Sequence, residues 1–398
     1  MKLMSFDRID SRILDTLVSF TRFPSIGTAR RNLLFPNLQI LHWDCKVAPG
    51  DDYLCIFIGP RLTDLSILCA SDSVMDITLH TLRDYAPHRR LEKFTLGLGG
   101  GGDSDGDYSW DIMDFCFQNN YEILTYVDLA TFKGVTSWAW VILSEFPHLK
   151  ILKTRIPIED DEEDEEQMIL QDGPHFPSLG ALTLYSQGVD ERSFESFAAE
   201  LMPEAQRPYV LKHFGLELVE PFDGVTATQL IQQMAGICEP MALNSFSISV
   251  NLEFTEDPDI VLTSVEPLLA CTHLQRIKLD SMPVTDLDNH AIREMVNAWA
   301  FLGVLDLGWD YERWALDSKV TLEGLIPLAE LCPELTEIRI VLKPCLVSEQ
   351  VQRRVDQMTF DNMVKKIFVN PWATYGRETT TGTALFLMKL FPDLVSVN

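Results

Sequence analysis

The chain has 398 residues, of which 46% are hydrophobic and 23% are charged, so it holds enough apolar material for a large core and is not a disordered chain. Its formal net charge is −27, and a surface of that sign repels phosphate, which excludes general binding of nucleic acid and of anionic membranes. No apolar run reaches the roughly 18 residues of a transmembrane helix, and the eight cysteines contain no CxxC pair, which indicates buried, reduced thiols in an intracellular protein, cytoplasmic or nuclear.

The first predicted element is a helix within residues 1–33. Its apolar residues recur at helical spacing, as Ile9, Ile13, Leu14, Leu17, Val18 and Phe20. Charged residues near the start interrupt the apolar core that a secretory signal needs; they are Lys2, Asp7, Arg8 and Asp10. We therefore interpret residues 1–33 as an amphipathic segment that caps the domain behind it.

A short apolar pattern, φ-x-x-φ-x-φ with φ an apolar residue, then recurs to the end of the chain. Successive copies begin 24 to 33 residues apart, and Thr154 is the one polar residue at the sixth position of a complete copy. Alternating apolar residues face one side of a β-strand, so the fourth and sixth positions predict a strand with one buried face. The copies begin at Leu38, Leu62, Leu91, Leu124, Leu149, Leu179, Leu211, Leu243, Leu274, Leu302, Leu335, Val364 and, cut short, Leu394.

Helices are predicted between the strands, because apolar residues recur at helical spacing in 189–202, 291–302 and 322–332. A Phe-Pro pair precedes several strands; these pairs begin at Phe35, Phe146, Phe176 and Phe391. Proline removes a backbone donor and disfavours helix in the residue before it, so each pair is expected to end a helix and begin a strand. Two loop insertions interrupt the repeats, at 97–110 and at 157–174.

The second insertion holds eight consecutive carboxylates, from Glu159 to Glu166. Self-repulsion keeps such a run solvated and without compact structure, although it would also serve as an electrostatic docking arm for a basic partner. The first insertion and the residues after it carry aspartates near the spacing of a calcium-binding loop, but Tyr108 stands where that loop needs glycine. We therefore interpret both insertions as loops and predict no metal site.

One strand and one helix per repeat, stacked in parallel, predict an α/β solenoid over residues 34–398 with about 13 irregular repeats. The pattern resembles the leucine-rich repeat. More closely, four units are similar to fungal F-box proteins with leucine-rich repeats: LFPNLQILHWD, FPSLGALTL, HAIREMVNAWAFLGVLDLGW and LEGLIPLAELCPELTEIRI. The resemblance implies a horseshoe with parallel strands on the concave face and helices on the convex face, and a role in recognising substrates for a cullin–RING ubiquitin ligase.

Two features depart from that family. The standard repeat has asparagine or cysteine at its ninth position, where this chain has unrelated residues such as Lys46, Ala70 and Gly99. An F-box is a longer helical segment that opens with a Leu-Pro pair, and residues 1–33 lack that start. Either the F-box has been lost or it lies upstream, and we expect a ubiquitin-ligase adaptor as a partner only in the second case.

The sequence holds no HExxH, GxSxG, phosphate-binding or kinase motif, and its eight histidines are scattered. We therefore predict no catalytic, cofactor-binding or metal-ligating residue, and we expect a non-catalytic protein-recognition scaffold. Two alternatives stay open. One is a stand-alone regulatory or inhibitor protein without a ligase role, and the other is an enzyme or small-ligand receptor whose pocket is assembled from loops.

The predicted partner-binding surface is the outward face of the later strands. If the fourth and sixth positions point inward, the third and fifth positions point to the opposite face. There, basic and acidic residues occur beside aromatic residues, which is typical of protein-binding regions, and a basic patch in an acidic protein favours an acidic partner. The alternative is that opposite charges pair across strands on a solvated face. The predicted residues are Arg276, Lys278, Asp306, Trp309, Arg339 and Lys366.

Overall fold

The structure, a computed structural model, divides the chain into two compact units, Met1–Tyr185 and Ser186–Asn398. The single solenoid over residues 34–398 stays a prediction, and each unit is described by itself. The residues that the structure describes are 3–6, 35–44, 54, 57–69, 90–98, 120–131, 135, 137–156, 176–186, 208–218, 227–250, 262–280, 287–308, 318–343, 347–369 and 377–397.

The first unit is built on a sheet in which each strand pairs in parallel with the next strand of the chain. Among the described residues of this unit, helix α1 (Ser137–Ser144) lies between the fifth and sixth strands. The strands are β1 (Leu3–Phe6), β2 (Ile40–Asp44), β3 (Asp64–Cys69), β4 (Lys93–Leu98), β5 (Tyr126–Asp128), β6 (Ile151–Arg155) and β7 (Ala181–Ser186).

The second unit repeats this arrangement, again with every strand parallel to its neighbour. Its strands are β8 (His213–Leu218), β9 (Ser245–Val250), β10 (Arg276–Asp280), β11 (Val304–Asp306), β12 (Glu337–Ile340), β13 (Lys366–Val369) and β14 (Ser396–Val397). The helices that the structure describes in this unit are α2 (Ala227–Ile237), α3 (Leu262–Leu269), α4 (Asn289–Ala298), α5 (Leu325–Leu331), α6 (Glu349–Asp356) and α7 (Arg377–Leu390). The predicted parallel strands are therefore confirmed within each unit, and the predicted helices between strands are confirmed in the second unit.

The strands pair without a shift in register, so equivalent positions of successive repeats lie side by side. For example, Leu41 lies opposite Leu65, and Ile277 lies opposite both Phe246 and Leu305. Side chains at the first, fourth and sixth positions are at most 6% exposed in every complete copy from Leu38 to Val364. Each unit thus has a continuous buried seam, as the alternating pattern predicts.

Residues 3–6 form strand β1 instead of part of the predicted capping helix. Met4 of this strand lies opposite Leu41 of β2. In the sequence, Met1 to Phe6 carry the repeat pattern, with apolar residues at the first, fourth and sixth positions, and this period of two favours a strand over a helix. The other residues of the predicted helix, from Ile9 to Phe20, lie outside the described residues.

A tight turn precedes most strands, and it explains the Phe-Pro pairs. The backbone N–H of Leu38 donates to the carbonyl of Phe35 at 3.0 Å, and the N–H of Leu335 donates to the carbonyl of Cys332 at 3.2 Å. Proline is favoured at the second position of such a turn, because its fixed φ suits the turn and its missing N–H is not required there. The same bond closes the turns before Leu62, Leu179, Leu274, Leu302 and Leu394.

A second backbone pattern links each repeat to the next. The carbonyl of Gln39 accepts hydrogen bonds from the N–H groups of Thr63 and Asp64, at 2.9 and 3.1 Å. In this position the carbonyl of one repeat therefore holds two donors of its neighbour, which fixes the register at the start of the following strand. The same pair of bonds occurs at the carbonyls of Thr63, Glu92, Thr125, Lys150, Lys212, Asn244, Gln275, Thr336 and Lys365. We call this series the carbonyl ladder.

Two predicted helices lie close to their expected places. The prediction over 291–302 corresponds to α4, whose N-terminus is capped by Asp288 through a 2.8 Å hydrogen bond from the N–H of Ala291. The prediction over 322–332 corresponds to a 3₁₀ turn, Leu322–Gly324, followed by α5. Pro327 lies in the first turn of α5, where a missing N–H costs no helical hydrogen bond. The helix predicted over 189–202 lies outside the described residues.

The predicted insertions are largely outside the described residues, and so are the acidic run 159–166 and the aspartate-rich stretch after Gly102. Residues 97 and 98 of the first predicted insertion instead complete strand β4. None of the helices that the structure describes is both long and apolar enough to cross a membrane.

The buried seam predicts sharply different effects for neighbouring residues of β10. Ile277 is fully buried and Arg276 is exposed. We expect Ile277→Ala to lower the free energy of unfolding by about 2–5 kcal/mol, because it leaves a cavity in the seam, and Arg276→Ala to change it by less than about 0.5 kcal/mol. Urea denaturation of both variants checks this, and equal losses would contradict the assigned faces of the strand.

Candidate protein-interaction surface

Charged side chains collect on the outward face of β10 to β13. The register aligns Arg276, Val304, Glu337 and Lys366 in one row, and Lys278, Asp306, Arg339 and Phe368 in the next. These positions alternate with the buried seam and therefore lie on the other face of the sheet. The charged residues of the two rows, together with Asp280 and Phe368, are called the strand-face cluster.

Arg339 is the centre of the strand-face cluster. Its Nε donates a 2.7 Å hydrogen bond to Oε1 of Glu337 and lies 3.7 Å from Oδ2 of Asp306. Its guanidinium carbon lies 4.5 Å from the centroid of the Phe368 ring, which is the geometry of a cation–π contact. Two carboxylates and an aromatic face thus hold the arginine in place, and its charge is largely compensated within the chain.

Asp306, which the sequence predicts as a partner-binding residue, is buried, with only 4% of its surface exposed, and its contact with a partner stays a prediction. Its Oδ1 accepts a 3.1 Å hydrogen bond from the N–H of Gly308, whose φ of 76° favours glycine. Burial raises the pKa of the Asp306 carboxyl above its usual range, the nearby charge of Asp280 adds to this, and the Gly308 hydrogen bond and Arg339 oppose it. Asp306 therefore supports the end of β11 and the position of Arg339.

The first unit contains the same arrangement around Asp128. Its Oδ1 accepts a 3.2 Å hydrogen bond from the N–H of Ala130, and its Oδ2 lies 3.5 Å from Nζ of Lys153 on the next strand. Tyr126 donates a 2.9 Å hydrogen bond to the same carboxylate, and burial and this bond both raise the pKa of the tyrosine, so it stays protonated.

Both aspartates end a strand of only three residues, β5 and β11. An aspartate that accepts the N–H two residues onward forms a turn that competes with the strand ladder. In each case the cation paired with it, Lys153 or Arg339, lies directly opposite it on the following strand. The sequence signal is an aspartate at the fifth position followed by leucine and a small residue, Asp-Leu-Ala and Asp-Leu-Gly, which the sequence analysis missed.

The other predicted partner-binding residues lie at the two edges of the strand-face cluster, on β10 and β13. Lys278 lies 3.0 Å from Asp280 on its own strand, and both side chains are about one third exposed, at 37% and 32%. Arg276 and Lys366 are exposed, and neither forms an ion pair with another residue that the structure describes. They lie three strands apart, or about 14 Å at the usual strand spacing. Trp309 lies outside the described residues.

Metal ligation and nucleophilic attack are two kinds of chemistry that side chains of the described residues could offer. Among them, no group of three or more histidine, cysteine, aspartate or glutamate side chains is placed to hold a metal ion. Burial raises the pKa of Cys271 to about 11, with a smaller contribution from Glu239, and burial raises that of Cys332 to about 12. Such thiols stay protonated at neutral pH and are poor nucleophiles.

No protein-family model matches the chain, and no curated protein matches its sequence. Among solved structures, the chain is similar to "Crystal structure of Rad7 and Elc1 complex in yeast". The alignment has 14% sequence identity and a TM-score of 0.45, and it covers 86% of this chain and 80% of that chain. An identity and a TM-score this low do not define a partner for this chain.

The raised pKa of Asp306 makes a testable prediction. The Asp306 carboxyl holds its proton more tightly in the folded chain than in the unfolded chain. Its contribution to the free energy of unfolding therefore falls as the pH rises above 3.8, the ordinary pKa of this group. Asp306→Asn keeps an acceptor for Gly308 and cannot ionise. We therefore expect the free energy of unfolding of the variant, relative to the unaltered chain, to increase as the pH is raised from acidic to neutral. Urea denaturation over that range measures the difference, and a constant or decreasing difference would contradict the prediction.

Proposed function

We propose that the chain is a non-catalytic protein-recognition scaffold of the leucine-rich-repeat type, and that it binds a protein partner on the outward, concave face of β10 to β13. The observation that carries the proposal is the unshifted register, which places outward side chains of four successive repeats in rows. An extended array of this kind offers a broad surface instead of a closed pocket, and repeat proteins use such surfaces to bind other proteins.

The charge of the surface indicates the kind of partner. Its exposed cations, Arg276 and Lys366, lie on either side of Arg339, whose charge is compensated by Glu337 and Asp306. The chain as a whole has a net charge of −27. Two cations without an ion-pair partner among the described residues therefore form a local basic region, which favours an acidic segment of a partner. In this proposal Arg339 has a structural role, because it packs on Phe368 and pairs with carboxylates of the strands, and the partner contacts the exposed cations instead.

The finer role rests on the resemblance to fungal F-box proteins with leucine-rich repeats. In that role the chain recognises substrates for a cullin–RING ubiquitin ligase inside the cell, and an F-box elsewhere in the protein binds the adaptor. Buried free thiols at Cys69, Cys238, Cys271 and Cys332 support a reducing compartment. Affinity capture of the protein should then recover a ligase adaptor, and a partner recovered without any ligase component would favour the stand-alone regulatory role.

The proposed surface is tested by the double variant Arg276→Ala/Lys366→Ala. Because both side chains are exposed, we expect little change in the urea midpoint, while partners captured from cells and quantified by mass spectrometry should fall at least tenfold. The matched control is Lys150→Ala/Lys389→Ala, which removes two exposed cations elsewhere and should leave capture unchanged. Equal capture by the two double variants would exclude this face as the binding surface.

A further inference from the structure

A row of exposed apolar side chains lies in the segments that lead into strands of the second unit. Val210 is 67% exposed, Met241 is 58% exposed and Phe301 is 49% exposed. His273, in the turn between those of Met241 and Phe301, stacks on the Phe301 ring with centroids 6.2 Å apart and planes inclined by 5°. These four residues, Val210, Met241, His273 and Phe301, are called the entry ridge.

The carbonyl ladder sets the spacing of the entry ridge. It fixes the starts of β8, β9, β10 and β11 in register, so neighbouring lead-in segments are separated by the strand spacing of about 4.8 Å, and the four segments span about 14 Å. Contacts along the row agree with this, since Oγ1 of Thr272 in the β10 turn lies 3.9 Å from Sδ of Met241 in the β9 turn. The apolar stripe of an α-helix repeats every 5.4 Å or so, close to this interval.

The turn itself does not require apolar residues. In the first unit, the residue before each leading leucine is polar or charged at five of six turns: Asn37, Arg61, Arg90, His148 and Ser178, with Ile123 the exception and half-buried. A single exposed apolar residue on a protein surface needs no explanation, but an exposed row, which the described lead-in segments of the first unit do not have, indicates an interaction site.

Charges of both signs lie beside the entry ridge: Lys212 and Arg276 are exposed near its Val210 and His273, and two carboxylates lie near Met241 and Phe301. Glu239 precedes Met241 and lies close enough to Cys271, in the next turn, to raise the pKa of that thiol. Glu334 is exposed in the turn that follows the one holding Phe301. With a net charge of −27 on the chain, this setting attracts a partner whose apolar stripe is flanked by lysine or arginine.

We propose that the entry ridge binds an amphipathic helix of a partner protein, with the apolar stripe of the helix on the ridge and its basic residues beside Glu239 and Glu334. This second binding site is distinct from the strand-face cluster. A second copy of the chain fits the ridge less well, because like net charges repel and because four side chains cover far less than the roughly 800 Å² per partner of a stable interface.

The test uses two displayed peptide libraries of about 16 residues, selected on the full chain. One library fixes leucine at helical spacing, the other fixes it at alternate positions, and both randomise the remaining positions between lysine, glutamate, serine and alanine. We expect enrichment only from the helical library, with lysine favoured over glutamate beside the leucine stripe. Enrichment of strand-patterned or glutamate-rich peptides, or of none, would overturn the proposal.

The enriched peptide is then labelled and its affinity measured by fluorescence anisotropy. Met241→Ser/Phe301→Ser should weaken binding at least tenfold with an unchanged urea midpoint, since both residues are exposed. The double variant Arg276→Ala/Lys366→Ala should bind the peptide normally, which separates failure of the ridge from failure of the strand-face cluster. Equal affinity for the ridge variant, or a dimer in light scattering that the ridge variant abolishes, would overturn the proposal.

Discussion

The arrangement of this protein depends on one constraint, which is that apolar side chains of successive repeats are buried against each other without any shift along the strands. A slip of one residue would expose the whole buried set of a strand. Two interactions prevent it: the fourth and sixth positions fill the seam, and each carbonyl of the ladder holds two N–H groups of the next repeat. Loops of different length between the strands then leave the register unchanged.

The same constraint decides which charges are available to a partner. Aligned fifth positions place Asp306 opposite Arg339 and Asp128 opposite Lys153, so the charges that look most prominent in the sequence neutralise each other. The accessible cations are third-position residues, Arg276 and Lys366, which have no partner among the described residues. The residue types along one strand therefore do not reveal the charge of the surface. The pairing of charged side chains between neighbouring strands determines it.

The sequence predicts the strands well, because an alternating apolar pattern has one physical interpretation when it recurs at regular intervals. It misses β1 for a related reason: the copy beginning at Met1 precedes the next copy, at Leu38, by 37 residues, beyond the 24 to 33 of the others. The burial of Asp306 could not be predicted from the pattern, since it depends on the turn at Gly308 and on a cation supplied by another repeat. The entry ridge was missed because its residues belong to turns, where no periodic pattern draws attention to them.

The carbonyl ladder also implies where the second unit begins to unfold. Each strand is stabilised mainly by the strands on either side of it, so local opening is expected to begin at the strand with the fewest neighbouring strands. β14 pairs with β13 alone among the described strands, it has only two residues, and the adjacent Val395 is 80% exposed. Amide hydrogens there should exchange with solvent well before those of β10, giving a gradient of protection along the stack instead of one cooperative value.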